Sequence, residues 1–472
     1  MSSIRTNFLY NSLYQILTLF IPIITLPYLS RVLGTWNIGV YSYHFTISVL
    51  FGIFIILGNT NYGNRAIAET TSKSKILISE TFWNIYFIQF FLGLCILAIY
   101  IWYTLSFSTD IKISLIQTIY LLSVILDINW LFYGLEKFKL SIIRNVIIKI
   151  TTVFFIILLV KNKNDLYTYA FILSLSSLLS QLSLWFFIRE YVHITPLKFD
   201  KIISHAKSTL ALFIPVIAVS IYALLSKIIL GSMSNIDEVG YFENSSRLIA
   251  IPVMAIWSLG TVMFPRISSI ISSGQKDKIF KYIYISFLLS AFLSSSISFG
   301  IIGISNEFVP LFFGDNFDKC KILIPILVSS TLFISWGEVI KTQYLLPNRK
   351  DKIYVSSVLY AAIINVIINI ILVPNYGSIG SAIAILITEA LICIIQIISV
   401  KNDLDIKKYI LHSLFFISTG LIMCGIIIHI PFIQSNIITI IIKIALGIPI
   451  YIIPCYIYFK FYLNKKLKLE YN

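Results

Sequence analysis

The sequence predicts an all-α polytopic membrane protein. It has fourteen transmembrane helices, as two parallel six-helix lobes plus an appended helix pair, with both termini inside. Three observations carry this prediction. First, the 472 residues are 58% hydrophobic and only 12% charged, and the mean hydropathy is +0.90. A soluble globule has about 45–50% apolar and about 25% charged residues, so this chain lacks the polar side chains to cover a water-soluble enzyme. The same composition excludes disorder and a coiled coil. Second, apolar runs of about 20 residues, the length that crosses a bilayer, recur along the whole chain. Third, the basic residues crowd onto alternate loops.

The spans fall at roughly 11–33, 36–58, 82–104, 111–134, 142–160, 167–188, 208–231, 241–264, 282–303, 321–340, 353–373, 378–400, 410–430 and 437–459. Continuous apolar runs point to helices, because barrel strands would alternate over short segments. The first run is too long for the apolar region of a cleavable signal peptide. With span-end residues counted in the nearer loop, 26 of the 36 Lys and Arg lie in the N-terminus, the even-numbered loops and the C-terminus. Six lie in the odd-numbered loops, and Lys149, Lys227, Arg247 and Lys443 lie within spans. The basic face is cytoplasmic by the positive-inside rule. The net charge of +15 therefore reflects topology and attraction to anionic lipids, and implies no nucleic-acid partner. Cys95, Cys320, Cys393, Cys424 and Cys455 form no CxxC and read as small apolar fillers.

An internal repeat organises the chain. Leu19-Phe20-Ile21-Pro22-Ile23-Ile24 recurs as Leu212-Phe213-Ile214-Pro215-Val216-Ile217, Ser30-Arg31 as Ser226-Lys227, and Gly39-Val40-Tyr41 as Val239-Gly240-Tyr241. Arg65 and Arg266 each close the following span. Six spans separate the copies, so both enter the bilayer in the same direction, as in a parallel repeat about an axis along the membrane normal. The predicted division is residues 1–200 for spans 1–6, 201–402 for spans 7–12, and 403–472 for spans 13–14 and the basic tail. Two such lobes enclose a central cavity, and rocking about it gives alternating access. Pro22, Pro27 and Pro215 are expected to kink spans 1 and 7.

Charges in spans are costly, roughly 2.5–3.5 kcal/mol each on insertion scales, so each is a candidate site. Arg31, Lys227 and Arg247 sit at repeat-related or adjacent places on spans 1, 7 and 8. Facing one cavity, they would bind a dianion, and the arginine fork suits phosphate oxygens. Arg65 is a further candidate for that anion, or an inner-face anchor. Asn7, Asn11 and Gln15 make a polar stripe leading into span 1, and Asn59, Asn61 and Asn64 follow span 2. Either set could meet sugar hydroxyls or simply finish helix ends. Asp127, which is expected to pair with Lys149, and Glu389 are candidate proton or cation sites. Glu243 and Arg247 are spaced i,i+4 and can pair, while Glu338, three residues before Lys341 near the inner interface, reads as a snorkelling side chain. His44 reads as a satisfied interior histidine.

Enzymatic motifs are missing. No GxxxxGK[ST], HExxH or GxSxG occurs, the outer loops are too short for a catalytic domain, and no cofactor or metal is expected. Asp403-Leu404-Asp405 matches the DxD of sugar-nucleotide enzymes but sits in a nine-residue charged loop, and reads as solvated charge.

Several motifs resemble those of bacterial polysaccharide repeat-unit flippases, the Wzx-type proteins of the polysaccharide transporter branch of the multidrug/oligosaccharidyl-lipid/polysaccharide exporter superfamily. They are Asn7-Phe8-Leu9-Tyr10-Asn11, Pro27 through Gly34, Gly39 through Tyr43, Asn61-Tyr62-Gly63-Asn64-Arg65, Asp127-Ile128-Asn129-Trp130, Gly134 through Phe138, and Arg144-Asn145. Tyr241-Phe242 through Arg247-Leu248 is similar to span 8 of lipid II flippases. The resemblance implies a pair of six-helix lobes carrying an undecaprenyl-diphosphate-linked oligosaccharide from the inner to the outer leaflet of the bacterial cytoplasmic membrane. Arg31 and Arg247 would hold the diphosphate, with Arg65 a weaker match. It also implies membrane lipids as surroundings, and a polysaccharide polymerase and glycosyltransferases as candidate partners. Two alternatives stay open: an ion-coupled multidrug extruder, which would want acids in its cavity, and a membrane polymerase or glycosyltransferase, which would want a large outer loop bearing carboxylates.

Overall fold

The computed structural model describes residues 4–71, 74–272, 276–433 and 435–463. Among them, twelve helical segments are long and apolar enough to cross a membrane, so the chain is an all-α, multi-pass membrane protein. The chain divides into two compact units, Met1–Ile228 and Ile229–Asn472.

The first unit opens with α1, Ile4–Ile56, which holds both of the first two predicted spans. The loop expected between them is reduced to one residue. Gly34 turns the chain at φ 74 and ψ 177, inside an otherwise helical run. A side chain is strongly disfavoured there, so glycine is what allows so short a reversal. Helical dihedrals continue through Pro22 and Pro27, so the departure from the helix falls at the glycine, not at the prolines. Pro215 lies among residues whose side chains are outside the described set.

There follow α2 (Asn59–Thr71), α3 (Lys75–Phe107), α4 (Ile111–Ile125), α5 (Asn129–Gly134), α6 (Phe138–Leu159) and α7 (Leu166–Trp185). Ser74 caps α3 and Asp110 caps α4, each accepting from a backbone N–H of the first turn. Predicted span 4 is not one helix. It breaks after Leu126, because the Asp127 carboxylate accepts from the Asn129 backbone N–H at 2.8 Å, a local turn that competes with the helix. Helix α8 (Phe199–Met233) coincides with predicted span 7 and carries the chain into the second unit; within it Tyr222–Met233 is a shorter apolar helix.

The second unit contains α9 (Ile236–Ser272), α10 (Lys276–Phe313), α11 (Cys320–Ile340), α12 (Asp351–Tyr376), α13 (Ser378–Val400), α14 (Ile406–Ile428) and α15 (Asn436–Tyr458). Helix α10 is its centre and packs against α11, α14 and α15. Its buried face carries Ser290, Ser294 and Ser298, one helical turn apart, and small residues let neighbouring backbones approach closely. Ser298 donates to Val328 O at 3.1 Å, and Ser335 to Ser294 Oγ at 3.0 Å. A buried cluster including Tyr284, Phe287, Tyr409, Phe416 and Tyr451 ties α14 and α15 to α10. Outward faces stay apolar: Phe91, Trp102, Ile363 and Ile441 are all exposed, as surfaces that meet lipid must be.

Candidate functional site

The motif residues of the first unit converge into one knot. A Cβ placed on Gly63 of α2 would meet the Trp130 ring at 2.6 Å, and one on Gly134 would meet Asn64 O at 2.7 Å. These two glycines therefore let α2 and α5 touch. Trp130 Nε1 donates to Gln89 Oε1 at 3.3 Å, and Gln89 Nε2 donates to Val124 O, Ile125 O and Asp127 O, which closes the carbonyls left open where α4 ends. Asn129 Nδ2 bridges Asp127 Oδ1 at 2.6 Å and Gln181 Oε1 at 3.0 Å. Arg144 Nη2 donates to Asn129 Oδ1 and Asn145 Oδ1, and Nη1 to Ser180 O. The knot thus joins α2, α3, α5, α6 and α7 through buried and half-buried polar groups hydrogen-bonded to one another. We expect Gly63→Val to lower the melting temperature of the purified protein, since forcing a side chain into a filled space costs about 1–3 kcal/mol.

This arrangement corrects one pairing. Asp127 meets Asn129, with Arg144 as its nearby positive charge. The Lys149 ammonium instead donates to Thr18 Oγ1 at 3.1 Å. The reason is geometric: the break after Leu126 turns Asp127 back onto its own chain. The sequence offered a signal in Asp127-Ile128-Asn129, a carboxylate two residues before an amide, which is a local turn pattern. Gln89, Gln181 and Ser180 had no such signal.

Arg31 is exposed on α1, and its Nη1 donates to Pro27 O at 3.3 Å. Lys227 is half-buried on α8, next to the buried Ser226. Arg65 pairs with Glu69 at 2.8 Å, the two side chains being 76% and 61% exposed. In the second unit, Arg247 pairs through Nε with Glu243 at 2.5 Å, a contact that leaves the arginine 36% exposed while the acid is nearly covered.

Asn59 is buried and fully engaged, donating to Gln89 Oε1 and accepting from Thr209 Oγ1, both at 3.2 Å. Asn61 is exposed and Asn64 half-buried. The side chains of Asn7, Asn11 and Gln15 lie outside the described residues. Glu389 is half-buried on α13, within electrostatic range of Tyr354 and Cys393.

Other charged groups resolve into structure. His44 is buried between Ser114 Oγ at 2.9 Å and Thr109 Oγ1 at 3.4 Å, a satisfied interior histidine. Asp403 pairs with Lys350 at 2.8 Å, and that ammonium holds the carboxyl below the usual carboxylate range. Asp405 caps α14. Both carboxylates of the DxD are therefore in structural use. No cluster of His, Cys, Asp or Glu suited to a metal occurs among the described residues.

Comparison with known proteins identifies the family. A family model described as "Polysaccharide biosynthesis protein" matches residues 4–271. A protein of Shigella dysenteriae named "Putative O-antigen transporter" is 26% identical over 396 residues, covering 80% of this chain and 96% of that protein. An Escherichia coli K12 protein of the same name is 23% identical over 407 residues, covering 85% of this chain and 97% of that one. Among solved structures, the lipid II flippase MurJ in an inward closed conformation superposes with a TM-score of 0.78 at 18% identity. The match covers 96% of this chain and 98% of that one, and it establishes a shared fold. These relatives are transporters and flippases by name, not enzymes. The family match spans more than half of the chain, and with it the motif knot: the chain belongs to the polysaccharide biosynthesis protein family.

Proposed function

We propose that this protein flips undecaprenyl-diphosphate-linked oligosaccharide repeat units from the inner to the outer leaflet of the bacterial cytoplasmic membrane, for surface polysaccharide synthesis. The observation that carries the reading is the end-to-end likeness to the O-antigen transporters, which the chain matches over 96% and 97% of their length. The flippase fold supports it.

In this reading the helices make fourteen spans with both termini inside. The chain divides at 1–200, 201–402 and 403–472, and the two six-helix lobes alternate in access about a cavity. Arg31, Lys227, Arg247 and Arg65 supply positive charge to the diphosphate. A dianion in a water-poor site is held far more strongly than in bulk water. Asn61 and Asn64, with Asn7, Asn11 and Gln15, offer donors and acceptors to the sugar, while Asn59 is committed to Gln89 and Thr209. The glycan crosses in a wet cavity while the polyprenyl tail remains in lipid. With the inside negative, outward movement of an anion is favoured by about 2.3 kcal/mol per charge per 100 mV. Asp127 or Glu389 would couple transport to a proton or cation.

The test is leaflet transfer. The purified protein is reconstituted with defined lipid-linked oligosaccharides, and their appearance in the far leaflet is measured with and without a proton or sodium gradient. Transfer above protein-free vesicles is expected. No transfer of any lipid-linked glycan, with export of organic cations instead, would replace this reading by the extruder.

A further inference from the structure

We propose that the cleft between α6 and α7 is a binding site for an anionic phospholipid of the surrounding bilayer, separate from the transported glycolipid. The cleft has a volume of about 700 Å³, and its lining includes Glu136, Lys137 and Lys139 around the start of α6, Ile143 and Arg144 further along it, and Phe187 just after α7.

Its position follows from the chain. One membrane-spanning segment ends at Gly134, the next begins at Lys139, and another ends at Glu190. Helices α6 and α7 pack against each other, so the start of α6 and the end of α7 lie at one boundary of the hydrocarbon. The turn that presents the lysines is fixed: Glu136 adopts a positive φ of 58°, and Lys137 N donates to Phe132 O at 2.8 Å, a helix-ending reversal. Cations therefore stand at the interface. Further along α6, Ile143 and Ile147 are exposed, and Phe187 is exposed beside the end of α7. That gradient, charge at the water boundary and open apolar wall below, is the profile of a phospholipid.

The sign of the charge selects the headgroup. Lys137, Lys139 and Arg144 line the cleft together with a single carboxylate, Glu136, so an anionic phosphodiester lipid is attracted where a zwitterionic lipid gains little. A basic residue near a membrane surface contributes about 1 kcal/mol toward an anionic lipid, roughly fivefold in affinity. A protein partner is disfavoured because the walls continue into the outward apolar face of α6, at depths that only lipid covers. Occupancy also has a route to the rest of the unit. Arg144, which lines the cleft, holds Asn129, Asn145 and Ser180, so a headgroup phosphate there would bear on the base of the motif knot.

The experiment uses the full chain, purified in neutral detergent and stripped of lipid. It is titrated with phosphatidylglycerol or phosphatidylcholine, and retained lipids are counted by native mass spectrometry. Phosphatidylglycerol is expected to be retained several-fold better. The pair Lys137→Gln with Lys139→Gln is expected to weaken its retention roughly 25-fold, while Lys401→Gln with Lys407→Gln, exposed elsewhere, has no effect. Ile143→Trp narrows the cleft without changing charge and is expected to reduce retention as well, which decides the matter should the double lysine variant unfold. Unchanged phosphatidylglycerol retention in both the Ile143→Trp and the lysine variants overturns the proposal. So does displacement of phosphatidylglycerol by equimolar undecaprenyl diphosphate, which would assign the cleft to the transported carrier.

Discussion

Export of lipid-linked glycan is expected to be abolished by Arg247→Ala and partly kept by Arg247→Lys. A guanidinium gives a phosphate two parallel charge-assisted bonds, an ammonium only a point charge. Such bonds contribute about 1.5–3 kcal/mol each, so losing two weakens substrate binding by roughly a hundredfold or more. The structure adds a complication, because Glu243 lies one turn away and is paired with Arg247. Removing the arginine alone strands a nearly covered carboxylate. Breaking a buried pair this way costs about 3–5 kcal/mol, and less here because the arginine is 36% exposed. The single variant therefore mixes lost binding with lost stability. Arg247→Ala combined with Glu243→Gln separates them: protein level in the membrane is expected to match the parent, with export still absent. Full export by that double variant would leave Arg247 as a structural partner of Glu243 and nothing more.

The largest loss of stability is expected from Lys443→Met. Lys443 is 2% exposed, and its ammonium donates to Glu307 at 2.7 Å and to Gly303 O at 3.3 Å, tying α15 to α10. A Cβ on Gly303 would collide with Ile427, so the three helices α10, α14 and α15 meet at this level. Methionine has nearly the length of lysine and no charge, and it leaves Glu307 unpaired. The expected cost is about 3–5 kcal/mol, read as a fall of several degrees in melting temperature. Lys443→Met together with Glu307→Gln removes both charges and is expected to recover much of that loss, since no uncompensated buried charge is left behind. Equal melting of the single variant and the parent would show that the pair carries no stability.

How much of this was legible in the chain depends on how local each interaction is. The helices were legible because a bilayer demands about 20 apolar residues at a stretch, and that demand is met by neighbours in sequence. Glu243 with Arg247 was legible for the same reason, and that pair forms; Glu338 read as snorkelling at the interface, yet it is nearly covered and meets Lys341. Lys443 had no reading, because its partner is 136 residues away and no spacing rule reaches that far. Asp127 was assigned the wrong partner, because reading 111–134 as one continuous helix left Lys149 as the nearest base. The Asx turn that ends α4 made a side-chain amide available instead. The family motifs were visible as words, but their shared purpose was not. Gly63 lies far in the chain from Trp130, Gly134 and Arg144, and the four become one object only when α2 and α5 touch. That object is a packing device, which explains why such motifs mark a family without naming a sugar.

Gly34 has a practical consequence for mapping the topology. The reversal takes a single residue and is roofed by the 3-10 turn Lys163–Asp165, whose Lys163 O accepts from Asn37 Nδ2 at 2.8 Å. A reporter enzyme or epitope inserted between residues 33 and 36 would have to unwind α1 and displace that roof, and so would report damage, not sidedness. The non-helical segment at 431–433, between α14 and α15, offers backbone that no helix must surrender, and belongs first in any accessibility scan with membrane-impermeant labels.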